Sequence, residues 1–423
     1  MREKPIRGKQ RGGISKKSRP PHYPLQYDLD IVAAMLAFAL NYFFLFTTSA
    51  VYFPYLQLFL KARGFPPSQV GVLQACQQVA GILGPLLIAR IADRSGRFRL
   101  ITLASIATSM LAWAALQFLA PSQLWGFAPF MLLLGISLNA LIPLLDGLAN
   151  KQLPDPAHQY GRVRVIGSVG FIVSSLLLEF GGIIDGRSSL SIFRCFAGAS
   201  ALYAIAAAFL PRAAARRTET REEGGMRLNK PFWVGIAVIF LAWISLVSYN
   251  SFFSLFAQAE RGSANVSWLY AVAGVAEVPW FFFSGRLIRR FGLWAIFLFC
   301  MSTLVVRLLM YALLSGTAAL IVTQALHGIT FGLFHAAAIQ FINRKVPHAR
   351  LGLGIALYLS LGVGLANFAG SLAGGFVIEW IGFRSMYLVY TVPALAGILI
   401  LLCARNLFDG KDDAAQAADP TTA

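Results

Sequence analysis

Residues 89–97 read Ala89-Arg90-Ile91-Ala92-Asp93-Arg94-Ser95-Gly96-Arg97. One acid stands in a basic run that separates two apolar stretches, each long enough to cross a bilayer. The run is echoed 196 positions later as Gly285-Arg286-Leu287-Ile288-Arg289-Arg290-Phe291-Gly292. Two more echoes keep nearly the same offset. Leu60-Lys61-Ala62-Arg63-Gly64 answers to Gln258-Ala259-Glu260-Arg261-Gly262 at 198, and Glu179 to Glu379 at 200. Three ordered matches at one offset in a chain of 423 residues mark an internal duplication.

The composition around these runs is that of a membrane protein. Hydrophobic residues make up 57% and charged residues 13%, with mean hydropathy +0.66. A soluble domain is nearer half apolar and a quarter charged. A water-soluble enzyme, a disordered chain and a collagen-like chain are excluded. Apolar runs between polar breaks predict twelve spans, over 31–60, 68–91, 99–119, 124–150, 162–184, 190–210, 232–259, 265–289, 293–313, 317–343, 349–379 and 384–405. The longest polar interruption, 211–231, divides them six and six. The expected organisation is a basic arm (1–30), a six-helix bundle (31–210), a linker (211–231), a second bundle (232–405) and a tail (406–423).

Charge sets the expected orientation. With the N-terminus inside, 29 of the 36 Lys and Arg fall in the arm, the even-numbered loops and the tail. Six fall in the odd-numbered loops: Lys61, Arg63, Arg187, Arg194, Arg261 and Arg384. This asymmetry places both termini in the cytoplasm, for a chain expected in the cell inner membrane. It also accounts for the net charge of +18 without nucleic acid. Residues 1–24 hold eight bases and no apolar run, so they read as a topological arm rather than a signal peptide. Cys76, Cys195, Cys300 and Cys403 are far apart, with no metal-binding spacing. No metal or other cofactor is expected.

The loop 89–97 resembles the signature of the major facilitator superfamily, Gly-x-x-x-Asp-Arg/Lys-x-Gly-Arg. Asp93, Arg94, Gly96 and Arg97 match, and Ala89 replaces the first glycine. The second copy keeps Gly285 and Gly292 but has Arg289 where the acid would stand. The resemblance implies an all-α membrane fold of twelve helices in two pseudo-symmetric six-helix bundles. It also implies secondary transport by alternating access. The motif would act as a gate, its carboxylate facing cations and a neighbouring helix N-terminus.

Ionisable groups inside spans are costly and mark function. Asp146 lies in the fourth span and Arg164 opens the fifth. Glu277, Arg307 and His327 lie in the eighth, ninth and tenth. Pairing is expected, Asp146 with Arg164 and Glu277 with Arg307 or His327. His335, eight residues past His327, points roughly 80° away on a regular helix. The glycines of spans five and eleven (Gly167, Gly170, Gly362, Gly364) suit close helix packing.

These residues carry a closer resemblance, to the lactose-permease-like proton symporters, which include 3-phenylpropionate and nucleoside permeases. It covers residues 31–405. An acid followed 18 positions later by the arginine of Tyr160-Gly161-Arg162-Val163-Arg164 has that branch's form, and Tyr52-Phe53-Pro54 fits it too. The words Ala276-Glu277-Val278, Val306-Arg307 and Leu326-His327 through Thr330-Phe331 to His335 look nearest to the 3-phenylpropionate type. Thr330 replaces the proton-carrying acid of lactose permease. The resemblance implies Glu277, Arg307 and His327 as the proton-coupling set, and Asp146 and Arg164 as substrate ligands. Asn41, Tyr42, Tyr52, Tyr249, Asn250 and Trp280 are expected to line the cavity. The expected partners are a small organic solute, an acid favoured, a proton and the bilayer, for a chain acting as a monomer. A proton-coupled exporter of drugs or metabolites, a sugar or nucleoside symporter and a non-transporting membrane sensor remain alternatives. No nucleophile–base motif or phosphate loop points to an enzyme.

Overall fold

In a bilayer each backbone polar group must be satisfied within its own segment, so apolar runs of this length fold as helices. The computed structural model describes residues 25–408 except 120–123, 154, 212–227 and 348–349. Most of the predicted arm (1–24), most of the linker (212–227) and most of the tail (409–423) lie outside the described residues. The first seven helices are α1 (Leu25–Ala62), α2 (Pro67–Ser95), α3 (Phe98–Phe118), α4 (Leu124–Gln152), α5 (Pro156–Phe180), α6 (Ser189–Ala207) and α7 (Lys230–Arg261). Two longer apolar stretches follow, Ser267–Leu313 and Leu351–Cys403, with Gly316–Lys345 between them.

Each of the two long stretches doubles back. The backbone of Gly292 is non-helical, with φ 81° and ψ 163°. Trp280 and Phe299, 19 residues apart, bring their ring centroids within 6.4 Å. A straight helix would hold them about 28 Å apart. Gly382 (φ 85°, ψ 168°) makes the same break in the second stretch, and the Tyr390 hydroxyl donates to the carbonyl of Gly370, 20 positions earlier. The chain therefore makes twelve passes among the described residues. The last five are α8 (267–291), α9 (293–313), α10 (316–345), α11 (351–381) and α12 (383–403).

The sequence repeat is repeated in the backbone. Gly64 and Gly262, Gly96 and Gly292, and Gly182 and Gly382 all have positive φ. Their spacings are 198, 196 and 200. Such a backbone is open to glycine at little cost and strains other residues. At Gly96 it is the left-handed turn that ends α2, with its N–H on the carbonyl of Ala92. The Gly181-Gly182 pair ends α5 earlier than hydropathy predicted, at Phe180 rather than 184. The same helix begins at 156 rather than 162, so Arg162 and Arg164, counted with a loop, lie inside it.

In the first half, α1 packs on α5 and α6, and α4 on α2 and α3. The halves meet through α2 on α11, α5 on α8 and α1 on α7. Small residues allow the first of these contacts: a Cβ built on Gly71 would lie 3.1 Å from the Cα of Gly375. The packing glycines behave as expected. A Cβ on Gly170 would lie 2.6 Å from the carbonyl oxygen of Phe43, and one on Gly362 would lie 3.0 Å from Ile239.

The hydrogen bonds across the halves gather at the end where α1 passes into α2. Lys61 Nζ donates to Gln258 Oε1 at 2.7 Å, Gln57 Nε2 to the carbonyl of Asn250 at 3.0 Å, and Arg187 to that of Gly262 at 2.5 Å. This end is sealed. At the opposite end the Asp93–Lys151 ion pair joins helices of one half, α2 and α4. The side chains of Asp146, Arg164 and Glu277 keep 29%, 30% and 24% of their surface open, so none of the three is fully enclosed.

Candidate functional site

The second half builds its site around one buried cation. Arg307, on α9, is 1% exposed. Its Nε donates to the carbonyl of Thr323 at 2.8 Å and its Nη2 to the Tyr311 hydroxyl at 3.1 Å. Its Nη1 lies 3.0 Å from Thr330 Oγ1 and 2.9 Å from Nδ1 of His327. The guanidinium also lies over the Tyr249 ring, 4.4 Å from its centroid. Every nitrogen of the fork is engaged, and each of these partners is uncharged.

The counter-charge is one ring away. Oε1 of Glu277, on α8, lies 3.1 Å from Nε2 of His327. A guanidinium can only donate, so Nδ1 of the imidazole must accept and carries no proton. The ring proton then sits on Nε2 and is donated to the carboxylate. His327 is thus a neutral bridge between a cation and an anion that address its two nitrogens. Of the two partners expected for Glu277, the histidine makes the direct contact, and the arginine is reached through it.

The first half carries a looser pair. Arg164 Nε lies 4.0 Å from Asp146 Oδ1, with both side chains about 30% exposed. The same carboxylate oxygen accepts from the Tyr42 hydroxyl at 2.6 Å. The guanidinium of Arg164 lies 4.5 Å from the ring centroid of Phe46 and 5.5 Å from that of Tyr42. Aromatic faces steady the charge without consuming its N–H donors. Arg164 therefore keeps N–H donors that its neighbours do not engage, whereas every nitrogen of Arg307 has a partner.

The other predicted lining residues divide. Tyr52 borders a cavity with Leu45, Thr48, Ser49, Asn139 and Ile142, and its hydroxyl takes the amide of Gln77. Tyr249 packs against both members of the Arg307–His327 contact, its ring centroid 4.4 Å from the guanidinium and 4.8 Å from the centroid of the imidazole. Asn41 is fully buried elsewhere: its amide donates to the carbonyls of Ala37 (2.8 Å) and Ala206 (2.9 Å), tying α1 to α6. With no exposed surface, it lines no open space. Asn250 meets Gln57 through its backbone at the sealed end. Trp280 packs against Gly328 of α10 and Phe299 of α9. In the loop motif, Asp93 takes Lys151, the last-turn base of α4. Gly96 supplies the turn, and Arg97 precedes α3. Arg94, in the last turn of α2, is exposed.

Sequence reasoning missed Tyr311, which accepts from Arg307 and carries no charge that would have drawn notice. Thr330, noted only as the replacement of an acid, accepts from the same guanidinium. The direction predicted for His335 is wrong. Residues Gly328–Leu333 form a π-helix, which widens the turn and resets the phase of the helix after it. His327, Phe331 and His335 stack instead of diverging, at interplanar angles of 2° and 14°. His335 then bonds the Tyr358 hydroxyl of α11 at 2.7 Å, where a second π segment, Tyr358–Gly364, begins.

Comparison with known proteins agrees with this architecture. Residues 35–389 match the MFS_1 like family. The chain is 29% identical over 373 residues to a probable 3-phenylpropionic acid transporter of Escherichia coli, covering 86% of this chain and 96% of the relative. It is 26% identical over 375 residues to a maltose permease of Geobacillus stearothermophilus, covering 88% and 94%. Among solved structures, the nucleoside transporter NupG superposes with a TM-score of 0.73 at 14% identity, over 89% of this chain and 100% of that one. A duplicated helical fold with ion pairs in its midst, matched along its length by permeases, leads to one conclusion: the chain belongs to the MFS_1 like family and is a multi-pass membrane protein, a secondary transporter of the major facilitator superfamily.

Proposed function

We propose that this transporter couples the uptake of a small organic acid to protons by alternating access, in an inner membrane with both termini cytoplasmic. In that orientation the sealed end faces outward. The observation that carries the reading is the bridge Glu277–His327–Arg307. A proton taken by Glu277 would remove the charge that balances Arg307 through the imidazole. The buried cation would then favour a second arrangement of the half around it, because an uncompensated ion in a low dielectric is costly. Conformation and protonation are thereby linked at named atoms.

Substrate would dock on the other half. Arg164 is 30% exposed with unspent donors, and a carboxylate matches its fork in two hydrogen bonds. Asp146, held by Tyr42, would orient the guanidinium. Phe46 and Tyr42 supply apolar faces beside it, which favours an acid with an aromatic or aliphatic body. The printed name of the E. coli relative, a transporter of 3-phenylpropionic acid, points the same way.

The test is uptake into proteoliposomes under an imposed pH gradient, with 3-phenylpropionate, maltose and a nucleoside as separate substrates. Acid-driven accumulation of the organic acid is expected, lost in Glu277→Gln while exchange across equal pH persists. Full accumulation in Glu277→Gln would remove this residue as the carrier, and accumulation of only the sugar or nucleoside would overturn the substrate class.

A further inference from the structure

Helices α2 and α8 begin without caps of their own. Their N-cap residues, Pro66 and Val266, make no side-chain bond to the helix, and neither first turn holds an acid. The first N–H groups of a helix lack partners within it and carry a partial positive charge. At both helices an acid from the opposite half stands at this position. The Ser68 N–H of α2 donates to Oε2 of Glu379, at the end of α11, at 3.3 Å. The Ser267 hydroxyl of α8 donates to Oε2 of Glu179, at the end of α5, at 3.2 Å. Ser267 also lies 3.1 Å from the carbonyl of Ser175, and the Tyr55 hydroxyl 3.0 Å from its oxygen, so the hydroxyl knits α1, α5 and α8 together.

The two contacts are related by the internal repeat. The acids are 200 positions apart and the serines 199. Each half gives one carboxylate and receives one. Glu260, nearby, is taken by Arg384 at 2.8 Å, whereas Glu179 and Glu379 go to helix starts. Both contacts lie at the sealed end, and both span the interface that must part for that end to open.

We propose that Glu179 and Glu379 form a double latch, each carboxylate capping a helix of the opposite half, that sets how often the sealed end opens. The inference rests on the alternating-access reading. When the end parts, each acid loses its partner in the opposite half, and α2 and α8 are left with uncapped first turns. The population of the opened state is therefore governed by two contacts related by the repeat, one to a backbone N–H and one to a serine hydroxyl.

The test uses the full chain in nanodiscs with its four cysteines replaced and nitroxides at Phe118→Cys and Leu313→Cys. These sites are 70% and 67% exposed, at the sealed ends of α3 and α9. Pulsed electron–electron resonance reads the distance between them. Glu179→Gln or Glu379→Gln alone should raise the long-distance fraction about twofold, and the double variant about fourfold. Pro66→Asp gives α2 an acid of its own that competes with Glu379, and should likewise raise that fraction. Two wild-type populations that ignore all four variants would overturn the latch and leave alternating access standing. A single distance, unmoved by substrate or substitution, would overturn both.

Discussion

Arg307 places its Nη1 2.9 Å from Nδ1 of His327, so this ring nitrogen is an acceptor and the imidazole is neutral. The ring is then committed to donating from Nε2 to Glu277. Nitrogen-15 chemical shifts of the His327 ring in the labelled protein should show the Nε2–H tautomer at neutral pH. Arg307→Gln should relax that preference, because an amide in place of the guanidinium no longer forces Nδ1 to accept.

Arg307→Lys keeps the charge and loses the fork. An ammonium on a flexible stem cannot serve Thr323, Thr330, His327 and Tyr311 together. Breaking a buried ionic set of this kind costs about 3 kcal/mol. The variant should unfold at a lower temperature in a thermal scan and fail to accumulate substrate. Normal stability in this variant would show that the network is not holding α9 to α10.

Arg164→Lys should behave differently. Its nearest carboxylate is 4.0 Å away, and little folding energy depends on it. The expected result is an unchanged melting temperature with KM raised at least about tenfold, the equivalent of one charge-assisted hydrogen bond. Asp146→Asn should raise KM in the same direction by freeing the guanidinium to turn away.

The Asp93–Lys151 pair is partly exposed on both sides, at 38% and 34%. Such pairs contribute under about 1 kcal/mol. Asp93→Asn should therefore leave the melting temperature nearly unchanged. A fall in turnover in the same variant, measured as exchange in proteoliposomes, would assign the pair to gating; unchanged turnover would leave it as a surface contact.

A Cβ on Gly375 would lie 3.0 Å from the Cα of Ser68 and 3.1 Å from that of Gly71. Gly375→Val should force α2 and α11 apart. Nitroxides at the sealed end should then report a longer distance, with the helical content by circular dichroism unchanged.

Much of this molecule is legible in its amino acids. Gly64, Gly96 and Gly262 mark turns because their backbones need positive φ, and the duplication follows from their spacing. The pairings are legible because a charge in oil has to find a polar partner: Asp146 lies beside Arg164, and Glu277 beside His327, which joins it to Arg307. The direction of His335 is not legible. Projection at a constant angle per residue fails across Gly328–Leu333, and nothing in Gly-Ile-Thr-Phe-Gly-Leu announces a wider turn. Asn41 misleads because a polar residue in a span suggests a lining position, while its amide is needed between α1 and α6. Glu179 and Glu379 stand out as echoes, but their partners lie in the other half of the chain, beyond the reach of local pattern.

The contrast between the two arginines bears on how such proteins diversify. With its donors spent on its own scaffold, Arg307 offers a new cargo nothing to grip, and its surroundings should tolerate little drift. Arg164, loosely tethered between rings, can be re-aimed by changing a neighbour such as Phe46. If Arg164 grips the cargo and Arg307 serves coupling, as proposed, descendants of one ancestor would come to carry different solutes by altering the first six helices and leaving the last six as inherited.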